Sequence, residues 1–265
     1  MCRADSKKAL SVAQSIFDFL QKSGEVFVEG HIANDVKTKG YNIKEINRQA
    51  DIVITIGGDG TIIRAVKEVE KPVFSINSGG MGFLAEVESK YALEGLQRII
   101  DGSYNIEERS KLKVILDGNR LPDALNEVTV QTDRIAKILY LKIFIDDELV
   151  ETMGADGIII ATPTGSTSYA LSVGGPILDP AVNAMVIAPL APFKLSARPW
   201  IVPMQRKIGV KLLSKSKESK IVIDGSYSTS VNPDSDIMIT ISEKKAKFIR
   251  FGETFYQMVR LKLMR

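Results

Sequence analysis

The chain has 265 residues, 45% of them hydrophobic and 25% charged, a composition of soluble globular proteins and a length for one large or two modest domains. A formal net charge of +3 gives no ground for a nucleic-acid partner, and no apolar run of membrane-spanning length is present. One cysteine, Cys2, and one histidine, His31, exclude an internal disulfide framework and a thiolate metal cluster, and argue against catalysis through a histidine triad. The start, Met1 to Asp5, has no signal-peptide apolar core, so a cytoplasmic setting is expected.

Leu10, Val12, Ala13, Ile16, Phe17 and Leu20 recur at helical spacing and predict a helix from Ser6 to Lys22, closed by Gly24. A domain of this kind opens with a strand, yet no strand-length apolar run precedes Ser6. The first strand is therefore expected to be missing, or to lie upstream of this start. Val26-Phe27-Val28 is a short strand, and His31 falls in a polar stretch expected at the surface. A helix over Asn42–Ala50 leads into a buried strand, Ile52–Ile56, which ends at Gly57-Gly58-Asp59-Gly60-Thr61. A second buried strand, Pro72–Asn77, ends at Ser78-Gly79-Gly80-Met81-Gly82, and a helix follows over Tyr91–Ile100. Strands alternating with helices predict a parallel α/β layer.

The texture changes near Lys111. Short strand-like runs at 112–116, 127–130, 138–145, 157–161, 208–213, 219–223 and 237–241 are separated by turn residues such as Asp117-Gly118-Asn119 and Asn232-Pro233-Asp234. The expected domains are 1–108, α/β, and 109–250, β-rich, with a closing helix at 251–265 packing back on the first. No low-complexity linker separates them, so a packed interdomain cleft is expected, a favoured place for ligands.

Several segments carry chemistry. In Gly57–Thr61, glycines permit a sharp turn with positive φ and close approach of an anion. The following helix start offers amide N–H groups to phosphate. Asp59 there could orient a hydroxyl or hold Mg²⁺; the plain alternative is a glycine-rich turn with a solvent-facing aspartate. Asn126-Glu127 pairs an amide with a carboxylate, or is a simple strand-end turn. Asp156-Gly157 opens a buried strand that feeds Thr162-Pro163-Thr164-Gly165-Ser166-Thr167, a hydroxyl-rich helix start that N-capping alone would also explain. Leu195–Pro199 and Asp224-Gly225-Ser226 follow.

In this order and spacing, from about Asp51 to the tail Phe255–Leu263, the segments resemble the NAD kinase family. The segment Thr162–Thr167 is the more specific part, since Gly57–Thr61 also resembles diacylglycerol and sphingosine kinases. The resemblance implies an α/β N-terminal domain with a Rossmann-like parallel sheet, which takes the phosphate donor, plus a β-rich C-terminal domain that binds NAD. It implies phosphoryl transfer from ATP, or polyphosphate, to the 2′-hydroxyl of the adenosine ribose of NAD, giving NADP. A divalent ion, Mg²⁺ by preference, and a homodimer or homotetramer are implied as well. Asp59 matches the catalytic aspartate. Gly57, Gly58, Gly60 and Thr61 would surround phosphate, and Asn77 would help shape the turn. Arg64 would steady phosphate charge, or is a surface arginine. Asn126 and Glu127 match the pair that holds NAD, and Asp156 a residue near the nicotinamide carboxamide. Thr164, Thr167, Ser168, Tyr169, Ala170, Leu171 and Ser172 match the adenine and ribose pocket. Lys137 and Ala191 align with further contact positions. The chain departs from the family pattern at Phe193, where many members have histidine, and at Ser226, where many have glutamine. Two other readings stay open at this point: a lipid or small-metabolite kinase sharing only the phosphate site, and a non-catalytic NAD(H)-binding protein.

Overall fold

A computed structural model describes residues 1–79, 82–134, 137–213, 218–252 and 255–263. Gly80 and Met81 of the second glycine turn, and positions 253–254 and 264–265 of the expected closing helix, lie outside the described residues. The chain divides into two compact units, Met1–Glu108 with Ala246–Arg265, and Arg109–Lys245.

The first unit is built on two parallel strands, Val53–Gly57 and Val73–Asn77, in register from Val53 opposite Val73 to Gly57 opposite Asn77. Their apolar runs are almost wholly buried, as strands of a parallel layer covered on both faces must be. The register brings both glycine turns out at the same edge, the carboxyl end, where open α/β sheets bind ligands. On the other side of Val73–Asn77, Phe248 of the long strand Ile237–Arg250 pairs with Val73 in parallel. The short strand near residue 27 falls at Val28–Glu29 and pairs in parallel with Gly40–Tyr41, in a separate two-stranded sheet.

The expectation of a missing first strand is corrected. Ile56 N–H donates to Met1 O at 3.0 Å, Arg3 N–H donates to Ile56 O at 3.0 Å, and Cys2 faces Ile56 in a parallel bridge. Three residues of backbone thus pair along the outer edge of Val53–Gly57, too few and too polar to announce a strand. Cys2 is 1% exposed, and burial pushes its thiol pKa up.

Helix α1, Lys7–Leu20, is capped by the Ser6 hydroxyl and buries Ala9, Ala13 and Ile16. Helix α2, Ile43–Gln49, starts with a capping box between Asn42 and Glu45. Helix α3 is Asp59–Glu68 and α4 is Ala92–Ile100. Of these, α1 and α4 share one apolar core with Phe74, Ile76 and Ile249, to which they contribute Ala9, Ala13, Ile16, Ala92 and Leu96.

The second unit has two antiparallel sheets. One runs in the order Trp200–Pro203, Ala184–Leu190, Gly157–Ala161, Glu127–Thr132, Ser219–Ile223, Tyr227–Val231. The other runs Glu148–Ala155, Leu139–Ile145, Ile208–Leu212 and then the start of Ile237–Arg250. Their inner faces share a core that includes Val128, Val130, Leu141, Ile158, Ile160 and Val210. Gly157–Ala161 is central and covered on both faces, because Ile159 and Ala161 pack against Ala170 and Val186 on the other side. Hence its unbroken apolar run. The hydroxyl-rich segment is not the start of a long helix: Thr164–Thr167 is a 3₁₀ turn, and helix α5 covers only Tyr169–Ser172. The closing helix α6 spans Phe255–Leu263. Among the described residues no helix is long and apolar enough to cross a membrane.

Candidate active site

The first set of site residues lies at the carboxyl edge of the parallel strands. Gly57 ends its strand, Gly58 caps α3 in extended backbone, and Asp59 is the first helical residue. None of Gly57, Gly58 and Gly60 has a positive φ, so the left-handed turn expected from the sequence is absent; in the second turn Gly79 has φ 155°. The need for glycine is steric instead. A Cβ on Gly57 would lie 2.8 Å from Thr61 Cβ, and closer to its hydroxyl. A Cβ on Gly58 or Gly60 would meet no atom within 4 Å. Their lack of side chains therefore leaves backbone at the helix start open to an anion.

Asp59 is half-buried and does not point idly at solvent. Its Oδ2 accepts from Phe83 N–H at 2.8 Å and its Oδ1 from Leu84 N–H at 3.2 Å. Both amides follow the second glycine turn, and Gly82 lies directly under the carboxylate: a Cβ there would sit 2.9 Å from Asp59 Cγ. Each carboxylate oxygen keeps a further lone pair for a substrate proton. The turn that supplies the amides is itself fixed. Leu84 O accepts from the fully buried Ser75 hydroxyl at 3.1 Å and from Arg250 Nη1 at 3.1 Å. Arg250 also pairs with Glu86 at 3.0 Å and Glu107 at 2.7 Å. Asn77 Oδ1 accepts from Gly79 N–H at 3.0 Å. Arg64 is engaged elsewhere: both its Nη atoms lie 3.1 Å from Glu29, which also lies 3.3 Å from His31 Nδ1. His31 is exposed and its Nε2 is 3.0 Å from Cys2 O.

The second set lies in the β-rich unit around the turn Leu125-Asn126-Glu127. Every backbone group of that turn is satisfied by two residues. Asp224 accepts from the N–H groups of Leu125, Asn126 and Glu127 at 2.9, 2.8 and 3.1 Å, and its own N–H donates to Glu127 O at 3.1 Å. Thr162 donates through its hydroxyl to Leu125 O at 2.6 Å and through its N–H to Asn126 O at 2.8 Å. Gly165 packs on the same turn so closely that a Cβ would lie 2.8 Å from Asn126 Cα, and nearer its carbonyl. Asn126 is 9% exposed, and its Oδ1 has no hydrogen-bond partner among the described residues. Glu127 is 7% exposed, and the Ser168 hydroxyl donates to its Oε1 at 3.4 Å.

The remaining expected residues scatter in exposure. Thr164 is buried and its hydroxyl accepts from Arg109 at 3.3 Å; the Thr167 hydroxyl donates to Thr164 O at 3.3 Å. Ala170 is fully buried in the core, Leu171 is half-buried, and Tyr169 and Ser172 are exposed. Asp156 is half-buried, its N–H donating to Leu190 O at 2.9 Å. Lys137 and Ala191 are exposed, Ala191 with φ 46°. Phe193 and Ser226 are exposed as well. Asp224 was visible only as the first residue of Asp224-Gly225-Ser226, and nothing local ties it to a segment 98 positions away. Thr162, Gly165 and Arg109 were equally silent as supports.

The C-terminal-domain model of the ATP-NAD kinases matches residues 125–251, and the N-terminal-domain model matches residues 1–104. The chain belongs to the NAD kinase family. An NAD kinase of Methanothermobacter thermautotrophicus is 43% identical over 269 residues, covering 100% of this chain and 95% of the relative. One from Thermococcus kodakarensis is 42% identical over 271 residues, covering 99% and 97%. The crystal structure of an NAD kinase from Archaeoglobus fulgidus in complex with ATP matches with a TM-score of 0.74 at 27% identity, over 94% of each chain. Yeast NADH kinase, solved with NADH, shares the fold with a TM-score of 0.92 at 24% identity, over 100% of this chain and 86% of that one. The two-part architecture, α/β then β-rich, is that of the NAD kinases, and the activity is phosphorylation of NAD with ATP. Family membership sets aside the lipid-kinase and non-catalytic readings.

Proposed function

We propose that Asp59 receives the proton of the 2′-hydroxyl of the adenosine ribose of NAD as the phosphoryl group arrives. The observation that carries this is the Asp59 carboxylate held by two backbone amides at the start of α3, beside glycines whose backbone is uncovered. Phosphoryl transfer asks mainly for positioning and charge stabilisation. A ribose hydroxyl ionises far above neutral pH, so its proton passes late, as the new P–O bond forms, to a carboxylate already in place. Gly57, Gly58, Gly60 and Thr61 take phosphate oxygens through backbone N–H groups. Asn77 sets the neighbouring turn. Arg64 adds charge only if it leaves Glu29. Asn126 and Glu127 hold NAD, a carboxylate being suited to accept from two ribose hydroxyls. Asp156, Thr164, Thr167, Ser168, Tyr169, Ala170, Leu171, Ser172, Lys137 and Ala191 line or support that pocket.

Among the described residues no three His, Cys, Asp or Glu side chains group to hold a metal. Asp59, a carboxylate at the phosphate-facing helix start, would be the neighbouring ligand-type group for a Mg²⁺ ion, which would neutralise phosphate charge. Polyphosphate as an alternative donor, a cytoplasmic setting and assembly as a homodimer or homotetramer belong to the same reading. The exposure of Phe193 at 82% and Leu195 at 91% supports assembly.

The test is Asp59→Asn. It removes the proton acceptor and, since its NH₂ cannot accept, one of the two amide bonds that seat the side chain, so turnover should fall by roughly 10²–10⁴-fold while NAD affinity stays unchanged. Near-normal turnover would refute the role. The same assay, run with ATP or polyphosphate and with or without a chelator, decides donor and metal; sedimentation decides the number of subunits.

A further inference from the structure

We infer that Asp224 is a positioning residue for NAD binding, acting through the backbone of Leu125, Asn126 and Glu127. The inference rests on the reading above that those two side chains hold NAD.

Asp224 sits at the tip of the hairpin joining Ser219–Ile223 to Tyr227–Val231. Its two oxygens collect three successive amide N–H groups, of Leu125, Asn126 and Glu127, between 2.8 and 3.1 Å. A carboxylate receiving several N–H groups makes charge-assisted bonds, about twice the strength of neutral ones. Consecutive amides aimed at one anion form a concave nest, a shape an extended strand end does not adopt unaided. The nest sets the direction in which Asn126 and Glu127 leave the backbone. Thr162 holds the carbonyl side and Gly165 closes the floor, so Asp224 supplies the amide side of the support. The backbone of Asp224 has φ 46°, a left-handed conformation that Asp and Asn tolerate and most residues do not.

That last fact chooses the variant. Asp224→Asn keeps the turn, whereas alanine would disturb it. Asparagine removes the charge and presents an NH₂ donor where an acceptor is needed. KM for NAD should rise roughly tenfold to a hundredfold, the loss of a charge-assisted hydrogen bond, with kcat within about threefold of the parent and KM for ATP unchanged. Simple loss of folded enzyme lowers apparent turnover and leaves KM in place, so the split between KM and kcat separates positioning from stability. Ser228→Ala, on the exposed side of the same hairpin, is the control and should change nothing.

Asn126→Ala and Glu127→Gln are measured alongside. If neither raises KM for NAD, the reading of the pair fails. If they raise it and Asp224→Asn leaves it within twofold, the positioning role is overturned. Should Asp224→Asn fail to fold, Asp224→Gly serves: glycine takes φ 46° without strain and removes the carboxylate, and an unchanged KM there overturns the inference equally.

Discussion

Gly82→Ala isolates the placement of Asp59 from the chemistry proposed for it. An added methyl would lie 2.9 Å from Asp59 Cγ and 3.2 Å from Oδ2, and nearer still to Oδ1. Carbon atoms do not approach a carboxylate so closely, so Asp59 must swing away by about 1 Å, since good contacts begin near 3.5 Å. The swing breaks or lengthens the bonds from Phe83 and Leu84, now 2.8 and 3.2 Å. The displaced group is the end of a side chain, not backbone, so the fold should lose no more than about 1–3 kcal/mol, the usual range for overpacking. The reaction should lose a comparable amount, about 2.7 kcal/mol, but all of it from the transition state: a shift of about 1 Å in a positioned group costs roughly 100-fold in rate. The prediction is therefore a kcat near one-hundredth of the parent, KM for NAD within a few-fold, and a folded enzyme by circular dichroism. NADP formation, read through an NADP-specific dehydrogenase, gives the rates. A Gly82→Ala enzyme with kcat within threefold of the parent would show that Asp59 does not depend on the seat described here, and the reasoning from amide clamp to proton acceptance would fail.

Two other outcomes follow from packing. Gly165→Ala places a methyl 2.8 Å from Asn126 Cα, against backbone that Asp224 and Thr162 already fix. Relief there requires moving backbone, so stability should drop by about 1–3 kcal/mol, with a lower thermal midpoint and weaker NAD binding; an unchanged midpoint counts against the tight turn. Cys2 is buried and its thiol pKa is raised by that burial. At pH 8 its thiolate fraction lies below that of free cysteine, and access is blocked as well. A colorimetric thiol reagent should therefore titrate one thiol rapidly in denaturant and only slowly in the native enzyme; fast native reaction would contradict the bridge between Cys2 and Ile56.

The parallel strands were legible because burial on both faces writes itself as uninterrupted apolar runs, as in Val53–Gly57 and Val73–Asn77. The central strand Gly157–Ala161 was legible for the same reason. Glu148–Ala155 and Tyr227–Val231 were not, because each carries polar residues on an outward face and no run to see. Residues 1–3 were invisible as a strand, since only backbone pairing makes them one. Within the site, groups proposed to meet substrate stood out through local pattern: glycines around a carboxylate, an amide beside an acid, a cluster of hydroxyls. The residues that hold those groups did not. Asp224, Thr162, Gly82 and Arg250 act through contacts set by the tertiary fold, and no periodicity or spacing reports such contacts. Of the two reasons offered for the glycines, the positive φ is absent at Gly57, Gly58 and Gly60. Steric room, not left-handed backbone, is what Gly57 and Gly82 provide.

Arg250 gives the enzyme a timetable. The carbonyl it grips, that of Leu84, was synthesised 166 positions earlier. At about 5–20 residues per second, roughly 10–30 s of translation separate the two. During that interval Val73–Asn77 lacks its neighbour at Phe248, and the sheet presents an open edge of the kind that invites mispairing. The amides that hold Asp59 receive their last anchor only when the chain returns from the β-rich unit. A ribosome that stalls midway thus leaves a glycine turn without its finished carboxylate seat, and the first 108 residues expressed alone should not yield a working phosphate module.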